Sequence, residues 1–285
     1  MKTTRRKFLK ITGLTAGSSL LFGPVDTFAS NIKRNTGTQA AMLVDTTRCI
    51  GCQSCERACC EKNGLPAPII KPDAGFRRST DVDAFTVVNA ISTEKGGVFC
   101  KTQCMHCDQP ACVSACLANA MYKTPEGPVI WREDKCLGCR YCMIACPFDV
   151  PKFEYGSINP RIRKCVMCYD RIQDGQRPAC VDACPKEALL FGKRGELLDI
   201  AKKRIADHPA RYVSHIYGES EVGGTNVLYL SGVPFEQLGF KTNLGETAYP
   251  EYTKTFLYSV PLVLLLGPAF MVGLRQATQD KEESH

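Results

Sequence analysis

The apolar positions fall into short runs between residues 40 and 193 and one long run near the C-terminus. Met42-Leu43-Val44 reads as a strand, as do Val129-Ile130-Trp131 and residues 188–191 (ALLF). Residues 84–91 (AFTVVNAI) and Gly97-Val98-Phe99 read as the two arms of a hairpin. It lies inside a Pro- and charge-rich insertion, 61–99, that is either a partner contact or a solvated loop. Residues 194–206 put Leu197, Leu198, Ala201 and Ile205 on one helical face, which predicts an amphipathic helix packed on the core. Residues 215–240 are Gly-rich with one strand, 227–230, and carry no chemistry of their own. Residues 255–274 are uncharged and flanked by Lys254 and Arg275. A helix of that length spans about 30 Å, the thickness of a bilayer core. Pro261 and Pro268 are expected to kink it, which membrane helices tolerate.

Cysteine usage changes this picture. Eighteen of the 285 residues are cysteine. Scattered cysteines in an exported protein read as disulfides, and isolated C-x2-C pairs as structural zinc. Neither accounts for triplets at x2-x2 followed by x3. Cys136, Cys139, Cys142 and Cys146, followed by Pro147, have the C-x2-C-x2-C-x3-C-P spacing by which bacterial ferredoxins hold [4Fe–4S] clusters. Three thiolates two residues apart wrap one face of a cubane. The fourth lies on the following helix and points to a different cluster, so one motif implies another. This chain has three more. Cys49, Cys52, Cys55 and Cys59 repeat the spacing, with Cys60 where the proline would stand. Cys104, Cys107, Cys112 and Cys116 are spaced x2-x4-x3. Cys165, Cys168, Cys180 and Cys184, followed by Pro185, enclose a polar gap, 169–179, able to project toward a partner. Cys60 and Cys100 are surplus to these sets and read as spectators. His106, between two ligands, reads as a surface or outer-sphere residue able to tune a nearby cluster.

The second and third motifs are adjacent, with a strand between them, like an ordinary two-cluster ferredoxin. The first and fourth then form another such pair around it. Crossing the last cysteine of each motif gives four expected clusters. They are Cys49/Cys52/Cys55/Cys184, Cys165/Cys168/Cys180/Cys59, Cys104/Cys107/Cys112/Cys146 and Cys136/Cys139/Cys142/Cys116. The expected fold is α+β: two pseudo-symmetric bacterial-ferredoxin-like 2[4Fe–4S] modules, one inserted in the other, over residues 40–193. An extension, 194–253, packs on this core, and the single transmembrane helix, 255–274, leads to a cytoplasmic tail, 275–285.

The N-terminus explains the charge. Thr4-Arg5-Arg6-Lys7-Phe8-Leu9-Lys10 fits the twin-arginine export pattern, and residues 11–25 form a mildly apolar Gly/Ser-rich run. Thr27-Phe28-Ala29 is a cleavage site, so residues 1–29 are a signal peptide. They supply +4 of the formal net charge of +7. Each oxidised cluster with four thiolates carries roughly −2, so the mature chain is acidic on balance and no nucleic-acid partner is expected. The twin-arginine route carries folded proteins, which suits clusters inserted before export. No Ser/His/Asp set, phosphate loop or nucleotide fingerprint occurs, and four histidines in all argue against haem.

The stretches CMHCDQPACVSAC (104–116), CLGCRYCMIACPFDVPK (136–152) and HIYGESEVGGTNVLYLSGVPFEQL (215–238), with the export signal and terminal helix, carry a family likeness. The chain resembles the four-cluster, ferredoxin-like electron-transfer subunits of exported oxidoreductases. Among them it is most similar to the membrane-anchored iron–sulfur subunit of hydrogenase-2-type [NiFe] hydrogenase. Leu117 and Cys60 depart from the proline that often follows the fourth cysteine. The resemblance implies a non-catalytic wire on the periplasmic side of the inner membrane. It links a catalytic complex with its own iron–sulfur cluster, such as the [NiFe] hydrogenase small and large subunits, to a multi-spanning quinone-reactive membrane subunit. The first motif's cluster would lie toward the catalytic side and the third's toward the membrane. The same wire in a formate dehydrogenase, a polysulfide- or DMSO-reductase-type complex or another respiratory complex is one alternative. A zinc-stabilised, membrane-tethered scaffold is another.

Overall fold

Strand β1, Ala40–Asp45, is buried from Ala41 onward on both faces, which its unbroken AAMLV run predicts. This computed structural model describes residues 37–282, so the export signal, 1–29, and the last residues of the tail lie outside the described residues. Helix α1, Ser54–Asn63, follows the first cysteine loop and ends at Gly64, whose left-handed backbone (φ 61°) stops it. Strands β2, Val87–Thr93, and β3, Gly96–Thr102, form an antiparallel hairpin. Helix α2, Ala111–Ser114, leads to β4, Met121–Lys123, which pairs antiparallel with β5, Val129–Trp131. Helix α3, Tyr141–Ala145, leads to a second small ladder between β6, Lys152–Phe153, and β7, Ile162–Arg163. Helices α4, Tyr169–Gln173, and α5, Ala179–Asp182, precede β8, Leu189–Lys193. Helix α6, Arg194–Asp207, buries Leu197 and Ala201, with Leu198 and Ile205 packed beside them, as its periodicity requires.

Strand β9, Val227–Leu230, completes the largest sheet, in the order β8-β1-β9. It runs parallel to β1, Met42 opposite Val227, while β8 runs antiparallel to β1 on the other side. The segment that reads as chemically silent is therefore central. Tyr217, Tyr229 and Phe235 are buried, and the Tyr217 and Tyr229 rings meet Phe240 edge-on at 4.7 and 4.9 Å. The observed strands begin or end two or three residues from the expected ones at β2, β3 and β8. There the ladder partner, not the apolar run, sets the limit.

The hairpin is less of an excursion than its polar flanks imply. Val87, Val88, Cys100 and Lys101 on it are all buried. A carboxylate fastens it: Glu56 on α1 accepts from Arg78 at 2.5 and 3.0 Å and from the Val88 N–H. Asp45 does the same for the sheet, accepting from Arg204 at 2.7 Å and from the Tyr212 hydroxyl at 2.8 Å. The C-terminal segment from Glu251 is a separate unit. Helix α7, Tyr249–Glu282, contains a 28-residue stretch, Tyr249–Gln276, long and apolar enough to cross a membrane. It outruns the expected 255–274: Pro250 sits in the first turn, where its missing N–H is not needed, and beyond Leu274 the residues Arg275, Gln276, Ala277 and Gln279 are good helix formers.

Glu56→Ala strands the Arg78 guanidinium in a buried site. Loss of one partner of such a pair costs about 3–5 kcal/mol, and the thermal midpoint of the purified protein should fall by about 10 °C.

Candidate metal centre

The four cysteine motifs share one backbone signature. The residue before the second cysteine has positive φ in each: Gly51 (69°), His106 (48°), Gly138 (68°) and Met167 (56°). This left-handed step turns the chain so that successive thiols face one point. The residue three beyond the last cysteine repeats the step at Asn119, Asp149 and Glu187. After Cys59 it does not, because α1 continues there. The motifs also alternate in kind. Helices α1 and α3 start from left-handed Gln53 and Arg140, whereas α2 and α5 start from extended Pro110 and Pro178. The helices pack as α1 on α5 and α2 on α3.

These loops bring the thiols together in sets. Cys49 has Cys184 and Cys52 as its charge neighbours, and Cys49, Cys52, Cys55 and Cys184 line one cavity. Cys59 faces Cys165, Cys180 and Cys168, and the same four line a second cavity. Cys107 faces Cys146, Cys112 and Cys104. Cys142 faces Cys116, Cys136 and Cys139. The sets follow one another in a line. Cys55 neighbours Cys180, Cys165 neighbours Cys104, and Cys112 neighbours Cys142. The two exposed cysteines, Cys52 and Cys139, belong to the first and last sets of that line.

Burial pushes the Cys55 and Cys165 thiols up to about 12 and Cys142 up to about 11, reinforced by neighbouring thiols. Burial works on Cys52 too, but the Ser54 side chain, 3.4 Å from its sulfur, and Arg57 bring it below the ordinary thiol value. Close-set thiolates in a poorly solvated site need cationic compensation. The donor set fits [4Fe–4S] iron. The two cavities are lined by soft thiols with no carboxylate or imidazole. Backbone N–H groups point at sulfur, from Ala120 to Cys116 at 3.2 Å and from Ala188 to Cys184 at 3.3 Å. Among the described residues no three such side chains converge at the spacing of a single ion. The thiols of the first two sets ring cavities instead.

Cys60 and Cys100 are buried outside these sets. His106 is no surface residue: it is fully buried, and its Nδ1 accepts from the Val129 N–H at 2.9 Å. Burial and the charges of Lys164, Lys123 and Lys101 hold it neutral, well below the ordinary imidazole range. Those lysines were invisible as site residues in the sequence. Lys101 and Lys164 are buried, and Lys123 donates to the Cys107 carbonyl at 2.9 Å.

A Cβ at Gly51 would stand 2.4 Å from the Phe99 ring. Gly51→Ala is therefore expected to remove about four irons per chain by disrupting the first loop. Cys60→Ala and Cys100→Ala should leave iron unchanged. Iron and acid-labile sulfide assays check both outcomes.

Comparison with known proteins agrees with this chemistry. A 4Fe–4S dicluster domain model matches residues 96–194. A protein of Nitratidesulfovibrio vulgaris is 46% identical over 98% of this chain and 78% of its own length. The hydrogenase-2 operon protein HybA of Escherichia coli O157:H7 is 34% identical over 94% of both chains. The iron–sulfur subunit of the nitrate-inducible formate dehydrogenase of Escherichia coli K12 is 36% identical over 69% of both. With its dicluster match, its ringed thiols and a relative aligned over nearly its whole length, the chain belongs to the family of electron-transfer iron–sulfur subunits that includes HybA and the formate dehydrogenase iron–sulfur subunits.

Proposed function

We propose that the chain is the non-catalytic wire of an exported [NiFe] hydrogenase, carrying single electrons from the catalytic subunits to a quinone-reactive membrane subunit. The observation that carries this is the linear order of four thiol sets whose two exposed cysteines, Cys52 and Cys139, belong to opposite ends. The sixteen thiolates would hold four [4Fe–4S] clusters, which supply one-electron transfer when bound. Cys49, Cys52, Cys55 and Cys184 hold the first; Cys59, Cys165, Cys168 and Cys180 the second. Cys104, Cys107, Cys112 and Cys146 hold the third; Cys116, Cys136, Cys139 and Cys142 the fourth. The alternating motif geometry and the helix pairs α1–α5 and α2–α3 support two ferredoxin-like modules, the second and third motifs nested between the first and fourth.

The residues divide the labour. Buried apolar groups around the inner sets keep water out. At the fourth-set end Leu137, Tyr141 and Ile144 are left exposed, Ile144 at 81%. Such a patch beside an exposed ligand is a docking face for the electron acceptor. At the first-set end Ile50 and Ile70 are exposed and face the catalytic donor. The chain is exported folded by the twin-arginine route and held at the periplasmic side of the inner membrane by α7. The hydrogenase assignment draws on HybA, aligned over 94% of both chains and so through residues beyond 215. A formate dehydrogenase assignment draws on a match covering 69%.

Purification of the tagged chain from membranes, followed by mass spectrometry, is expected to bring down nickel–iron hydrogenase subunits and a multi-spanning subunit. A molybdopterin subunit in their place overturns the hydrogenase assignment. Colourless, zinc-loaded native protein overturns the wire itself. Ile144→Glu is expected to lower quinone-linked turnover at least tenfold, the scale of an interface anchor lost, while dye-linked activity and iron content stay at wild-type values.

A further inference from the structure

Three lysines reach the thiol sets, and one is unlike the others. Lys164 Nζ donates to the Val129 and Cys165 carbonyls, and Lys123 Nζ to those of His106 and Cys107. Lys101 is 1% exposed, and its Nζ has no hydrogen-bond partner in the protein. Its backbone is held: it pairs with Val88 in the hairpin, and its carbonyl accepts from the Tyr229 hydroxyl at 3.0 Å. The side chain lines the cavity of Cys49, Cys52, Cys55 and Cys184. Gln103, one residue past the end of β3, lines the cavity of Cys59, Cys165, Cys168 and Cys180. A lone buried ammonium is costly unless a negative group answers it.

We propose that Lys101 is a tuning charge shared by the first two clusters, placed between Cys55 of one set and Cys59, Cys165 and Cys180 of the other so that it raises both reduction potentials together. The inference rests on the four-cluster reading. Thiols of both sets lie close enough to act on its ammonium, Cys55 of the first and Cys59, Cys165 and Cys180 of the second. One-electron reduction adds one negative charge to a cluster. A fixed positive charge in a low-dielectric site favours that form and so raises the potential. Because one ammonium serves both sets, its loss moves the two potentials in the same direction, whereas the Nζ groups of Lys123 and Lys164 donate to backbone carbonyls.

Lys101→Met, Lys101→Gln and Lys101→Arg, each in the full chain within its membrane complex, are compared with wild type by redox titration followed by EPR. The neutral variants are expected to shift two of the four midpoint potentials negative together and leave the other two in place. Arg is expected to restore both. No shift, or an equal shift of all four, overturns the proposal. If neither neutral variant assembles, an Arg variant with wild-type iron shows that charge is required. Loss of iron in Arg as well assigns Lys101 to packing alone. The iron content of wild type separates the two claims. Fewer than about sixteen irons contradicts the four-cluster reading. Full iron with unmoved potentials contradicts only the role of Lys101.

Discussion

The structure depends on gathering negative sulfur where water does not reach. Cys59, Cys104, Cys112, Cys142, Cys165, Cys168 and Cys180 are buried alongside the apolar core. Burial first, and then the neighbouring thiols, oppose their ionisation, as the raised thiols of Cys55 and Cys165 express. Iron resolves the conflict, and the remaining features serve it. Left-handed steps at Gly51, His106, Gly138 and Met167 aim the thiols. Backbone N–H groups reach Cys116 and Cys184. Buried lysines bring positive charge among the sets. The small ladders, two or three residues long at β4 to β7, do little beyond fixing where each loop begins.

The linear series follows from how the motifs interlock. A motif that gives three thiols to one set and the fourth to another ties two sets by a single short helix. The motifs interlock in two pairs, which gives neighbours at Cys55 with Cys180 and at Cys112 with Cys142, and the packing of one pair against the other sets Cys165 beside Cys104. Inner sets become buried by their neighbours, and the ends keep an exposed cysteine each. An electron carrier needs two faces, and the exposed apolar residues beside Cys52 and Cys139 are suited to that use.

The cysteine spacing made the chemistry legible, because each interval reflects a loop that fits a cubane. Helix α6 and strand β9 were legible too, since their apolar periodicity matches their packing. The role of residues 215–240 was not. Tyr217, Tyr229 and Phe235 gain meaning only when β9 pairs with β1 and closes the core. Lys101 was hidden for a related reason: a lysine in a short polar-flanked strand reads as exposed, and its burial comes from the hairpin folding over the thiols. Left-handed backbone was readable at Gly51 and Gly138, and unreadable at His106 and Met167, where the loop imposes it against residue preference.

The most direct test is the iron and acid-labile sulfide content of anaerobically prepared protein, joined to EPR of its reduced state. About sixteen irons per chain with interacting reduced-cluster signals is the predicted result. Little iron with stoichiometric zinc, or isolated signals from one or two clusters, would contradict the account.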